Sequence, residues 1–485
     1  MWNEGHSAQW NHGAVWEVNV LDRLPVSRTF ERVIQLEMNE ISFPVVQHLV
    51  DRGELPNFRS VLNGWTRYET VSESKYEWLE PWIQWVTAHT GKAFEEHGIF
   101  HLSDAPNLKY PQVWEELSER GVESLILGSM NATRGSALGG VFFPDPWAKQ
   151  NDAHPASLKP VWDMISKKVQ GHATQPLTLR DALAGCSAAV RLGVPPLLFA
   201  RIATQVIRQK VDPKAAWRLA ALFDEFLASL FVKLLEANRN CRYATLFVNA
   251  VAHYQHHYWR HFDPGAFTAG VLAPDCGAND DPMLFGYRTY DRILGQVLKS
   301  VDLSRTLVVI ASGLSQVPFI EKDSEGGMNY YRLRDHRGFA SSLGIDPDSV
   351  FPLMSRDWQL GCAGAADRAY LRFVLESLFV GNEPVFKVSD EGEGLFVETG
   401  VTRLVGPDEV VFGPEGRSYG AFSQHFSRIA IKSGHHTGIG CLFLSEPPQA
   451  PSGRQPVRLG ALHSLPGDAL GLSPPNAAPR RSLAS

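Results

Sequence analysis

The sequence predicts an α/β fold: a largely parallel central sheet with helices on both faces, plus a cap inserted late in the chain. Three observations predict it. Apolar, β-branched runs alternate with amphipathic stretches at 32–37, 41–51, 123–128, 243–249, 285–300 and 306–311, the order that builds a parallel sheet. The first run, Arg32-Val-Ile-Gln-Leu-Glu37, ends in polar residues immediately before a helix, where open α/β sheets place their sites. Residues 316–428, rich in Arg, Asp and Gly, separate these runs from a last strand at 441–444.

In order, residues 1–27 carry Trp, Asn and His without periodicity and read as an irregular lead-in. After the first strand come Met38-Asn39-Glu40 and a helix over 41–51. Pro56 then opens a second helix, which Asn63-Gly64 closes. Residues 110–120 form an amphipathic helix with Val113, Trp114 and Leu117 inward, Gly121 as its cap, and a strand over 123–128. Residues 135–209, rich in Pro and Gly, read as an elaboration over the site. Asp212-Pro213 opens a long helix with Leu219, Phe223, Phe226, Leu230, Phe231 and Leu234 on one face. Short strands are expected near 385–396 and 410–412. The domain reading is therefore a core over 28–315 with its elaboration at 135–209, a cap over 316–428, a return over 429–446, and a loosely held Pro-rich tail over 447–485.

Composition bounds the function. The 485 residues are 44% hydrophobic and 20% charged, with a net charge of −6 and no basic block, which disfavours nucleic acid as a partner. Five cysteines without CxxC spacing argue against a disulfide framework or zinc ribbon. The start lacks the basic and apolar regions of a secretory signal. No apolar run reaches the ~18 residues of a membrane span; residues 192–207 come closest, interrupted by two prolines and an arginine. A cytoplasmic protein is the expectation.

The segment at 80–99, EPWIQWVTAHTGKAFEEHGI, carries Thr90-Gly91-Lys92 followed by Glu96-His97-Gly98-Ile99. It resembles the "wasllTGk…p..HGi" phrase of the alkaline phosphatase superfamily, in its type I phosphodiesterase/nucleotide pyrophosphatase branch. Further stretches are similar: Gly53-Glu-Leu-Pro56-Asn57-Phe58 to that branch's "G…tPnl..L" step, the Trp114 helix to "vWe.L.e.G", the region of Asp291 to "yr.lD.ilg..l", and Ala252-His253-Tyr254-Gln255-His256-His257-Tyr258-Trp259 to "D.vqHffW". Gly434-His435-His436-Thr437-Gly438-Ile439-Gly440 resembles the closing "gxHxxxG" turn. The resemblance covers 32–132, 243–315 and 434–444, and implies an alkaline-phosphatase-like three-layer sandwich. It also implies two divalent ions, usually zinc, held by three Asp and three His around a Thr or Ser nucleophile.

Carried over position by position, that set is thinned. The first Asp corresponds to Glu37. The nucleophile's place, nine before Thr90, is Pro81. The Asp of "D.vqH" is Ala252 while its His is His256, and the expected Ser-Asp-His-Gly is Ser312-Gly313-Leu314-Ser315. The last His is His436. What the resemblance implies is thus one divalent ion, with zinc the natural candidate, on Glu37, His256 and His436. His2Glu is a known catalytic zinc set. Glu80 or Glu40 would serve as general base. Asn39, Gln84, His253, His257, Gln316 and His435 are further polar candidates near the lost ligands.

Two readings follow. In the first, the chain is a mononuclear hydrolase of a phospho- or related ester. In the alternative, it is an inactive relative that binds a phosphorylated or sugar ligand or a partner protein. The first is preferred because polar residues surround the lost ligands. Neither G-x-S-x-G nor a Gly-rich phosphate loop is present to support an esterase or nucleotide-binding module.

Overall fold

Alternation along the first strand decides the layering. In β1 (Arg32–Met38), Ile34, Leu36 and Met38 join the larger apolar cluster on one face of the sheet, whereas Val33 joins the cluster on the other. Gln35 and Glu37 share that second face, because successive side chains point to opposite sides. The computed structural model describes residues 20–102, 104–135, 138–170, 177–346, 349–353, 356–448 and 455–472. Most of the expected lead-in, through residue 19, lies outside them.

β1 runs parallel to both β5 (Tyr243–Val248) and β6 (Thr306–Ser312) at the centre of an eight-stranded sheet. β3 (Ser124–Leu127) and β4 (Gly140–Phe143) extend it in parallel beyond β5. On the other side, strand Ile439–Leu444 is antiparallel to both β6 and β2 (Thr66–Val71). Strand Gln455–Arg458 pairs parallel with β2 and closes that edge. β1, β5 and β6 are buried along nearly their whole length, as parallel strands covered on both faces must be.

Helices α1 (Phe43–Asp51) and α2 (Pro56–Gly64) follow β1, and α3 (Pro81–Thr90) follows β2. Next come α4 (Phe94–His97), α5 (Val113–Glu119), α6 (Lys159–Val169), α7 (Leu179–Arg191) and α8 (Pro196–Val211). α9 (Arg218–Ala237), α10 (Ala250–Phe262) and α11 (Pro282–Lys299) complete the core set. Proline stands in the first turn of α1, α2, α3, α6, α8 and α11, where its missing N–H costs nothing. Helix α3 ends at Gly91 with φ 67°, a left-handed cap that a residue with a Cβ adopts only under strain.

The N-terminus of α2 is capped from a distance. The Asp291 carboxylate on α11 accepts from the backbone N–H of Asn57 and Phe58, both 2.9 Å, and from Asn57 Nδ2 at 2.8 Å. Asp291→Ala orphans these buried and part-buried donors. The expected cost is about 2–3 kcal/mol, read by denaturant or thermal unfolding, since hydrogen bonds to a charged group are worth ~1.5–3 kcal/mol.

Three sequence expectations change here. Residues 135–209 are not only an elaboration: they open with β4, a strand of the main sheet, and continue as α6, α7 and α8. The short β4 was hidden because Gly140 stands at its start, with φ 110° against the Ser124 carbonyl. Asp212 caps only a single turn at Pro213–Ala215, and the long helix begins at Arg218. The tail is built in as far as residue 472. Strand Gln455–Arg458 and helix Ala461–Ala469 place Val457, Leu459, Leu462 and Leu465 in the second core, although Pro456 and Pro466 make the segment read as loop. A proline on an edge strand leaves the ladder intact.

The cap has its own apolar cluster around Trp358, Phe386, Leu395 and Val397. Its strands Phe386–Glu391 and Gly394–Thr399 form a hairpin. Two ribbons join cap to core: β7 (Ser315–Pro318) pairs with strand Gly434–Thr437, and β8 (Met328–Leu333) pairs with strand Phe426–Lys432.

Candidate metal centre and active site

β1 keeps its ladder through Met38, whose register partner is Val248 on β5. The chain then turns through Asn39 and Glu40, and Glu40 takes φ 57°, left-handed backbone that few non-glycine residues adopt. Its carbonyl accepts from Gln255 Nε2 at 2.6 Å, and Tyr287 Oη donates to Gln255 Oε1 at 3.0 Å. Tyr287 in turn accepts from the Ser42 N–H at 2.9 Å. The network holds the strained turn and aims a fully buried carboxylate outward from the carboxyl edge of the sheet.

Two imidazoles meet that carboxylate. His256 comes from α10, whose first amides are capped by Asp224 Oδ2 on α9, 3.0 Å from Asn249 N and 2.7 Å from Ala250 N. His436 comes from strand Gly434–Thr437, in register with Gln316 of β7. Glu40 Oε2 lies 3.5 Å from His256 Nε2 and 3.4 Å from His436 Nε2, and the two nitrogens are 3.3 Å apart. Four-coordinate zinc with bonds of ~2.0–2.1 Å has ligand–ligand edges of about 3.3–3.4 Å. The three donor atoms therefore fit one face of such a tetrahedron. Among the described residues this is the group of His and carboxylate side chains able to hold a metal ion.

The protonation states of Glu40 and His256 fit as well, since ligands must shed their protons. Burial opposes ionisation of Glu40, but His436, His256 and the Gln316 amide outweigh it and hold the carboxyl at about 2. Burial pushes His256 down to about 3, with Glu40 opposing. Burial also acts against charge on His436, yet the Glu40 carboxylate, aided by Glu80, raises its pKa above the ordinary value. Gln316 Nε2 donates to Glu40 Oε2 and to the Ala252 carbonyl, while Asn39 Nδ2 donates to Glu40 Oε1 at 3.1 Å.

Glu80 is the residue before Pro81 at the start of α3. Burial pushes its carboxyl up; His436 opposes that and the Glu40 charge adds to it. Lys432, half-buried, comes from strand Phe426–Lys432 with its Nζ 4.5 Å from the Phe319 ring centroid. Burial lowers its pKa against the pull of Glu321 and Glu80.

The sequence assigned Glu37 to the metal; in the structure the carboxylate that meets His256 and His436 is Glu40. Glu37 lies inside the ladder on the α3 face, with its Oε1 2.9 Å from His89 Nε2 and 3.1 Å from Gln35 Nε2. Both members of the Glu37–His89 pair are wholly buried. Of the further candidates, Asn39 and Gln316 touch Glu40. Gln84 donates to the Trp78 carbonyl at 2.7 Å beneath α3. His435 points to the opposite face of its strand, against Phe319 and Tyr76 at 5.7 and 6.4 Å between ring centroids. His253 and His257 pair with each other at 4.9 Å elsewhere on α10. Residues 312–315, where the resemblance leads one to expect Asp and His, are packed by Leu314 and Leu459, and Thr70 Oγ1 donates to the Ser312 carbonyl at 2.6 Å. Sequence reasoning passed over Gln255, Tyr287, His89 and Lys432. Gln255, His89 and Tyr287 each stood within a stretch already singled out, whereas Lys432 did not.

A carboxylate and two imidazoles thus meet at the carboxyl edge of a mixed α/β sheet, beside a second, half-buried carboxyl. The sequence profile of the type I phosphodiesterase / nucleotide pyrophosphatase family matches residues 46–329, and the chain belongs to that family. No curated protein sequence matches it. It is similar to the solved structure of phosphonoacetate hydrolase from Sinorhizobium meliloti in complex with phosphonoformate, at 13% identity over 93% of this chain and 98% of that one, TM-score 0.42. Murine ectonucleotide pyrophosphatase/phosphodiesterase 5 in complex with AMP is 12% identical over 93% and 97%, TM-score 0.37. A magnesium-bound mutant of TAB5 alkaline phosphatase is 8% identical over 92% and 99%, TM-score 0.39.

Proposed function

We propose that this chain hydrolyses a phosphoester with one divalent ion, zinc by its donor set, held by Glu40, His256 and His436, and with Glu80 as the proton acceptor. The observation that carries the reading is the triangle of donor atoms at 3.3–3.5 Å in a family that is metal-dependent. A bound divalent ion supplies polarisation of a phosphoryl oxygen and a more acidic water. Two ions bring four positive charges, and among the described residues Glu40 is the carboxylate that touches the imidazoles, so one ion is the better balance.

The side chains divide the remaining work. Glu40 and the neutral His256 present lone pairs, and Gln316 and Asn39 fix the carboxylate's orientation. Glu80, at the positive end of α3, takes a proton from the attacking water and returns one to the leaving oxygen. Pro81 offers neither a nucleophile nor an N–H, so attack by water replaces a covalent enzyme intermediate. Lys432 contributes positive charge beside Glu80. The substrate class is a small phosphorylated or sugar-phosphate ester. Free cysteines at all five positions suit a reducing compartment such as the cytoplasm.

Pro81 at the nucleophile's place also favours a second reading, an inactive fold that binds such a ligand without turnover. One experiment separates them: hydrolysis of bis(4-nitrophenyl) phosphate across pH, with zinc added, by the unaltered chain and by Glu80→Gln. A base works only when deprotonated, so activity should rise with pH through a midpoint above the ordinary glutamate value. Glu80→Gln should remove that limb and lower kcat by ~10²–10⁴-fold. No turnover in the unaltered chain would leave the binding reading.

A further inference from the structure

We propose that the outward face of α8 docks on an anionic lipid surface. Six of the seventeen exposed large apolar side chains among the described residues fall within residues 179–211: Leu179, Leu183, Val190, Leu197, Ile207 and Val211. On α8 they form a stripe. Leu197, Ile207 and Val211 are 72%, 65% and 85% exposed, and exposed Ala200 and Thr204 stand between them at spacings of three and four. On α7, Leu179 and Leu183 are one turn apart.

This stripe is surplus to the core. The inner side of α8 is already satisfied: Phe199 meets Phe226 edge-on at 5.7 Å, Arg201 pairs with Glu225 at 2.7 Å, and Gln205 donates to the Ala215 carbonyl at 2.7 Å. The outer apolar side chains gain nothing from folding and remain in water.

Charge selects the occupant. Residues 159–214 hold nine Lys and Arg against three Asp and Glu, a local balance of +6 in a chain whose net charge is −6. Exposed Arg208 and Lys210 flank Ile207 and Val211. Apolar side chains among basic ones suit the boundary between headgroups and acyl chains of an anionic bilayer. A twofold pairing of two copies through this face would bring Arg208 and Lys210 against their own copies and is disfavoured. Nucleic acid has no use for the Leu, Ile and Val side chains. No helix among the described residues is long and apolar enough to cross a membrane, so the contact is lateral.

The test is flotation of the full chain with phosphatidylcholine vesicles, with and without phosphatidylglycerol. Binding is expected only with the anionic lipid and should fall with added salt. Ile207→Asp/Val211→Asp and Arg208→Glu/Lys210→Glu should each weaken it at least about tenfold, since each basic side chain near such a surface contributes ~1 kcal/mol. All four positions are exposed, so melting temperatures should match the unaltered chain. Absence of binding to anionic vesicles, or binding that both variants retain, overturns the proposal. So does concentration-dependent self-association that the same substitutions abolish, which would make the face a contact between copies.

Discussion

Glu40→Gln is expected to leave the protein folded, strip its metal, and lower kcat/KM for a phosphodiester by about 10³-fold or more. Among the described residues Glu40 is the carboxylate in contact with His256 and His436, and an amide in its place brings no charge to offset a divalent ion. A catalytic ion supplies several kcal/mol of transition-state stabilisation, and each ~1.4 kcal/mol is a factor of ten. His436→Ala should match it. The measurement is metal per chain after dialysis, by mass spectrometry, beside the steady-state rate. Glu37→Gln is the decisive companion, because the strand-end reading of the sequence put the ligand there. It should keep both metal and rate. Were Glu37→Gln to lose the metal while Glu40→Gln kept it, the site drawn here would be wrong.

His89→Ala is expected to do the reverse: to keep the metal site and destabilise the fold by about 3–5 kcal/mol. Removing one partner of a wholly buried pair leaves the other charge without compensation. Glu37 sits in such a pair, 2.9 Å from His89. Burial works against its ionisation, but the His89 imidazole, with Thr245 and Ser129 beside it, lowers the carboxyl below its ordinary value. Its contribution is therefore present above the unfolded pKa and is lost as pH falls through the lower folded one. In His89→Ala only burial acts strongly on Glu37, so its folded pKa rises and the sign inverts: the penalty is largest at neutral pH and shrinks in acid. Urea melts of the two proteins at neutral and acidic pH check this. A variant equally deficient at both would tie the loss to packing against Trp85 and Trp114 alone.

The scaffold was legible because it rests on local signals. Strands β1, β5 and β6 are rich in apolar residues, α2 begins at proline, and the Thr90-Gly91 turn needs its left-handed glycine. The same locality explains what was misread. Pro456 and Pro466 look like breakers in one dimension, yet Val457 and Leu465 find a core formed by residues hundreds of positions earlier. Gly140 conceals β4 for the same reason.

By itself the sequence determined the family and the largely parallel sheet, and it singled out the two histidines that the fold brings together, since His256 and His436 lie inside phrases whose order and spacing survive in the linear chain. Which carboxylate joins them was a tertiary decision. One strand residue more or less turns a side chain to the other face, and only the ladder of β1 against β5 shows that the strand runs on through Met38. That extension sends Glu37 inward to His89, and the strained turn gripped by Gln255 and Tyr287 sends Glu40 outward to the imidazoles.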